Sequence, residues 1–173
     1  EIDRYILGQL NQMIARARSA YERYEFHLAT QAIHRFSTVT LSALYLDVLK
    51  DRLYTSPPDA RERRSAQTAM RIILDALARL MAPILSFTAE ELWRTFDGKA
   101  DDSVFLQTLY ALPQVEGAPA LLARWDRLRE LRDPVRKSIE ALRAEGKVGS
   151  SLQAEVDVHA EGADYGLLAG SGG

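Results

Sequence analysis

At 173 residues, with 47% apolar and 27% charged side chains, the chain has the length and composition of a globular protein with room for a core. A formal net charge of −2 gives no overall positive field to draw it onto nucleic acid, and the absence of cysteine excludes disulfides, thiol catalysis and thiolate metal sites. No apolar run approaches the roughly 18–20 residues of a membrane span.

The opening Glu1-Ile2-Asp3-Arg4-Tyr5 lacks the basic and apolar regions of a secretory signal, so a soluble cytoplasmic protein with no membrane partner is expected. Of the 22 cationic residues, 18 are arginine and only Lys50, Lys99, Lys137 and Lys147 are lysine. Arginine's planar fork suits phosphates and base edges, but a GC-rich coding sequence gives the same bias, so composition names no partner.

The first element spans about Ile2 to Phe26, with Ile6, Leu10, Met13, Ala17, Ala20 and Tyr24 forming one helical seam. A second helix runs from about Thr30 to Leu53. Between Phe36 and Leu49 it has so little polar surface that it reads as central and covered on several sides. Ser56-Pro57-Pro58 stops it. Asp59 can cap a third helix whose stripe is Met70, Ile73, Leu74, Leu77, Leu80, Met81 and Ile84, ending or kinking at Pro83. Thr88-Ala89-Glu90-Glu91 fits a capping box, opening a short fourth helix through Trp93 and Phe96 that closes at Asp97-Gly98.

Residues 98–118 carry only short apolar pieces between Gly, Asp and Pro, and read as an ordered connector over the bundle. Residues 119–147 return to helical spacing through Leu121, Trp125, Leu128, Leu131, Val135, Ile139 and Leu142, with Pro134 predicting a kink or break after Asp133. After Gly149 the period becomes two: Leu152, Ala154, Val156 and Val158 alternate with polar residues, as in a half-buried strand. That strand has no partner in sight, and the Gly166–Gly173 tail has no core to join, so 148–173 reads as the start of a truncated appended region. The fold class expected is an all-α helical bundle over 1–97 with the connector, a further helical region and a short C-terminal strand.

The sequence holds no glycine-rich phosphate loop, serine elbow or His-Glu-x-x-His pair. His27 and His34 stand seven residues apart without a third ligand, and His159 lies on the outward side of the strand, so no metal site is expected. Glu90-Glu91 is explained by the capping box and the helix dipole, and Asp101-Asp102 by a solvated turn; no catalytic site is expected. Trp93, Arg94, Phe96 and Lys99 put aromatics and cations at a helix end, a pattern that holds unpaired RNA bases. The alternative is that Trp93 and Phe96 close the bottom of the bundle.

Tyr24-Glu25-Phe26-His27, the string Leu41 through Tyr54 (with Tyr45-Leu46-Asp47 and Lys50-Asp51-Arg52-Leu53-Tyr54), and Met81-Ala82-Pro83-Ile84-Leu85-Ser86-Phe87 through Trp93 resemble the anticodon-binding helical domain of class Ia aminoacyl-tRNA synthetases. The central string is most similar to the isoleucyl branch, as are Leu131-Arg132-Asp133 and Val148-Gly149-Ser150-Ser151. Ser37, where relatives often carry cysteine, and Pro134 depart from that pattern.

The resemblance implies a helical bundle that grips the anticodon stem and loop of isoleucine tRNA, within a parent ligase that uses ATP and magnesium. The family's His-Ile-Gly-His and Lys-Met-Ser-Lys-Ser signatures do not occur here, nor does the C-terminal zinc cluster of cysteines, so the chain reads as a non-catalytic piece without a cofactor of its own. By analogy with methionyl relatives, the nearest anticodon-reading positions are Tyr5, Gln9 and Gln12, then Trp93, Arg94, Phe96 and Lys99. Asp47, Lys50, Asp51 and Arg52 are read either as helix-end ion pairs or as RNA contacts. A monomer with no DNA partner is expected. The alternatives are a helical protein-interaction module and the same domain from a valyl or leucyl enzyme.

Overall fold

A computed structural model of the chain describes residues 1–97, 102–109, 112, 114–150 and 153–170, with the backbone alone for Phe96 and Asp97. The elements are α1 (Ile2–Glu22), α2 (Phe26–Arg35), a π-helical segment (Phe36–Leu46), α3 (Asp47–Thr55), α4 (Arg61–Met81), α5 (Ser86–Asp97), a 3₁₀ turn (Val104–Leu106), α6 (Ala118–Ala144) and α7 (Gly162–Ala169). The chain divides into two compact units, 1–118 and 119–173.

In the first unit, α1 packs on α2, on the π-helical segment and on α4, while α4 also packs on α3 and α5. The α1 seam is buried at Ile6, Leu10, Met13, Ala17 and Ala20. Tyr24, expected to continue it, is instead 81% exposed with φ +60°. The reason is a Schellman-type C-cap: Tyr24 N donates to Tyr21 O (3.0 Å) and Glu25 N to Ala20 O (2.8 Å), which requires a left-handed residue between them. Tyrosine occupies a position that glycine usually fills.

The second helix starts at Phe26 and continues to Thr55, with i→i+5 bonding from Phe36 to Leu46. The wider turn keeps Phe36, Thr40, Leu44 and Tyr45 on one buried face. It also turns Val39, Leu46 and Val48 to solvent, so this helix is covered on one side rather than several. Ser56 is extended ahead of Pro57, where the helix stops. Asp59 does not cap α4. Ala60 holds the cap position, and its N–H closes a turn to Pro57 O (3.1 Å). The buried face of α4 runs through Ala66, Ala69, Ile73, Ala76, Leu77, Ala78 and Leu80; its alanines give neighbouring helices close approach.

A buried carboxylate ties the early elements together. Asp3 accepts from Tyr45 Oη (2.8 Å) and Ser65 Oγ (2.6 Å), and Arg52 Nη1 lies 3.7 Å away. Burial first, then the bond to Asp3, pushes the Tyr45 hydroxyl far above the usual tyrosine value.

The capping box at Thr88 does not form. Ile84 N and Leu85 N both donate to Met81 O (3.0 and 2.7 Å), so the chain passes Pro83 in tight turns and α5 begins at Ser86. In the connector, Val104 and Leu112 are buried while Phe105 and Leu106 are exposed; residues 98–101, including Asp101, lie outside the described set.

The second unit differs from expectation in the absence of a helix break, in its strand and in its tail. The helix α6 runs unbroken from Ala118 to Ala144 with Pro134 inside it. The missing N–H costs Glu130 its helical donor, on a stretch where Glu130, Asp133 and Pro134 are exposed. No strand occurs among the described residues: 154–160 are irregular, Val156 and Val158 are exposed, and Leu152 lies outside the described residues. An alternating run needs a partner ladder, and none is offered to it. The tail is also not coreless coil, since α7 forms there and Arg127 grips Asp164 with two bonds (2.9 and 2.7 Å).

Candidate nucleic-acid interface

Helix α5 has two faces of opposite character. Ala89 and Trp93, four residues apart, are buried with Ala78, Ala82 and Val104, and Met81 and Leu92 pack around them. The Arg79 guanidinium lies 5.0 Å from the Trp93 ring centroid, held by Asp75 (2.8 Å) and by a bond to Thr108 O (2.8 Å). Trp93 therefore closes the bundle, as the packing alternative has it.

The opposite face, at steps of four and three, carries Phe87, Glu91 and Arg94. With Ser86, Glu90, Thr95 and Phe105 they line an open groove of about 690 Å³, within the size range of small-molecule sites. Phe87 is 93% exposed and Phe105 57% exposed. Glu90 fixes the groove floor: it accepts from Ser103 Oγ (2.8 Å), Val104 N (3.0 Å) and Arg94 Nε (3.0 Å). Chiefly the Ser103 bond, with help from Val104 N and Arg94, holds its carboxyl below the ordinary glutamate value despite desolvation. Ser103 Oγ also accepts from Phe105 N (3.2 Å), which sets the turn that presents Phe105. The groove thus offers two open aromatic rings beside a cation whose orientation is fixed.

The anticipated residues are scattered. Tyr5 is fully buried in α1, Gln9 is half-buried and Gln12 exposed. Arg94 is exposed in the groove; Phe96 lies in α5 with no side chain described, and Lys99 lies outside the described residues. Asp47 and Lys50 pair with each other at 2.9 Å, and Arg52 turns inward to Asp3. Sequence reasoning missed Phe87 and Phe105. With the helix started at Thr88, Phe87 precedes it and belongs to no face; from Ser86 it falls opposite Ala89 and Trp93.

Among the described residues no group of three or more His, Cys, Asp or Glu could hold a metal ion. No helix of the described residues is long and apolar enough to cross a membrane.

A family model described as the anticodon-binding domain of tRNA ligase matches residues 3–158. Over 172 residues the chain is 46% identical to an isoleucine–tRNA ligase of Aromatoleum aromaticum, 49% to one of Burkholderia multivorans and 47% to one of Dechloromonas aromatica. Each comparison covers 99% of this chain and 18% of the relative, so the chain spans under a fifth of the length of those proteins. With a match over nearly its whole length, the chain belongs to the family of tRNA-ligase anticodon-binding domains.

Proposed function

We propose that the chain binds the anticodon stem and loop of isoleucine tRNA on behalf of a ligase, and supplies recognition rather than catalysis. The observation that carries this reading is the α5 groove, where Phe87 and Phe105 stand open beside Arg94 in a member of the anticodon-binding family. Unpaired bases gain most from such a surface, because every base has a face to stack and an arginine can take the adjacent phosphate. The isoleucine relatives and the Tyr45–Tyr54 string support the choice of tRNA.

In this reading Gln9, Gln12, Phe96 and Lys99 are further contact positions. Tyr5 and Trp93 act from the core by holding α1 and α5 in place. ATP and magnesium belong to parts of a parent ligase outside these residues. The chain works as a monomer in the cytoplasm, with neither DNA nor membrane as a partner.

The test is a tRNA titration of single variants across a salt series. Phe87→Ala and Phe105→Ala are expected each to cost about 1–3 kcal/mol of affinity with the salt slope unchanged. Arg94→Ala is expected to flatten that slope by about one unit or less. Unchanged affinity and slope in all three variants would remove the α5 groove from the RNA face and leave Gln9 and Gln12 as the better candidates.

A further inference from the structure

A second groove, of about 560 Å³, lies between α1 and α2 and involves none of the residues discussed as contacts. Its walls carry Arg16 and Ser19 from α1, Arg23 at the C-cap of α1, and Gln31 and Arg35 from α2, with three alanines between them. Steps of three and four place each set on one side of its helix, so the two rows face each other across the groove. Arg16 and Arg23 stand two turns apart, about 10 Å along the axis.

The charges are unevenly used. Arg23 donates to Glu25 (2.7 Å) and to Ser19 Oγ (2.7 Å), so its guanidinium is oriented and half-neutralised. Arg16 and Arg35 are exposed and make no hydrogen bond or ion pair among the described residues. Three guanidinium groups with one carboxylate between them form a local positive field on a chain whose net charge is −2. Two cations along one wall and a third on the other suit a ligand with repeated negative charges, and guanidinium forks match phosphate oxygens two at a time.

We propose that the α1–α2 groove is a phosphodiester-backbone site, taking neighbouring phosphates of the bound RNA. This rests on the tRNA reading given above. In that arrangement α5 reads bases and α1–α2 sets affinity and register, the usual division between base and phosphate contacts.

The experiment is titration of the chain with an isoleucine tRNA transcript over a salt series. It compares the unaltered protein, the pair Arg16→Gln with Arg35→Gln, and a charge-matched control, Arg61→Gln with Arg64→Gln, on exposed positions of α4 outside the groove. The groove pair is expected to lower the slope of log affinity against log salt by about 1.5, the release of roughly two phosphate contacts. The control pair leaves it unchanged. An Arg16→Lys, Arg35→Lys pair, which keeps both charges, retains most of the slope and guards against a folding defect.

An unchanged slope in the groove pair, or an equal drop in the control pair, overturns the groove assignment while tRNA binding stands. Absence of tRNA binding by the unaltered chain overturns both readings. Poly-glutamate bound as tightly as tRNA, and lost in the same groove pair, would make the groove an acidic-peptide site and overturn the RNA assignment.

Discussion

Residues 1–118 and residues 119–173 are held by different physics. The first unit buries its stripes: Tyr5, Ile6, Leu10, Tyr45, Leu49, Leu80 and Val104 are fully enclosed, and the buried acid Asp3 has three partners. In the second, the 27-residue α6 has a single buried residue, Leu122, and the best-defined link from α6 to α7 is the exposed pair of Arg127 with Asp164. Packing of the first kind is insensitive to salt, whereas an exposed ion pair is screened by it. A binding unit gains from that contrast, since a rigid core lets surface groups such as Phe87 and Arg94 hold one geometry.

The largest expected effect is at Trp93. Trp93→Ala should destabilise the first unit by about 3–5 kcal/mol in denaturant titration, because a large ring leaves a cavity and Arg79 loses its platform. A loss below about 1 kcal/mol would mean that this end of the bundle collapses freely.

Next is Asp3→Ala, expected to cost about 3 kcal/mol by stranding the Tyr45 and Ser65 hydroxyls and the Arg52 charge. The same network gives an alkaline signature. Tyr45 has a raised value when folded, so its contribution is complete below the ordinary tyrosine value of 10.0 and is lost as pH rises above it. Tyr45→Phe should remove part of that alkaline destabilisation, read as thermal midpoint against pH.

The smallest effect is at Arg127→Ala, which should leave the midpoint of the first unit unshifted and raise amide exchange only in α7. Asp164 is held below its ordinary value of 3.8, first by the hydrogen bonds from Arg127. That link is therefore present above 3.8 and lost as pH falls through the lowered folded value. Molar salt should speed exchange in α7 but not in Ile73–Leu80; equal protection in both would erase the contrast.

Much of the bundle was legible because periodicity records burial. The α1 seam and the Ile73, Leu77 and Leu80 positions of α4 are buried where the spacing puts them. The misses share a cause: local backbone chemistry that side-chain patterns do not encode. Tyr24 ends α1 through backbone bonds available to any residue tolerating a left-handed φ, and its aromatic ring reads as a seam member. The i→i+5 stretch changes which of Phe36–Leu46 face inward, so a run apolar all round could still be one-sided. Met81 O takes two donors after Pro83, moving the start of α5 back from Thr88 and turning Phe87 from a flanking residue into an exposed aromatic. The α1–α2 groove was invisible because Arg16 and Arg35 lie nineteen residues apart, brought together only by the turn at Tyr24. The alternating run at 154–158 shows the limit of pattern, since a strand depends on a partner that its own sequence does not contain.

The central claim is that this chain recognises the anticodon region of isoleucine tRNA. The most direct measurement is competition at fixed salt between an isoleucine tRNA transcript and the same transcript with its anticodon replaced. The account predicts that the native anticodon binds at least about fivefold more tightly, the least that one lost base-edge contact of 1–3 kcal/mol gives, since stacking is indifferent to base identity. Equal affinity for both transcripts, with the same salt slope, would contradict it and reduce the interaction to nonspecific attraction between arginines and phosphates.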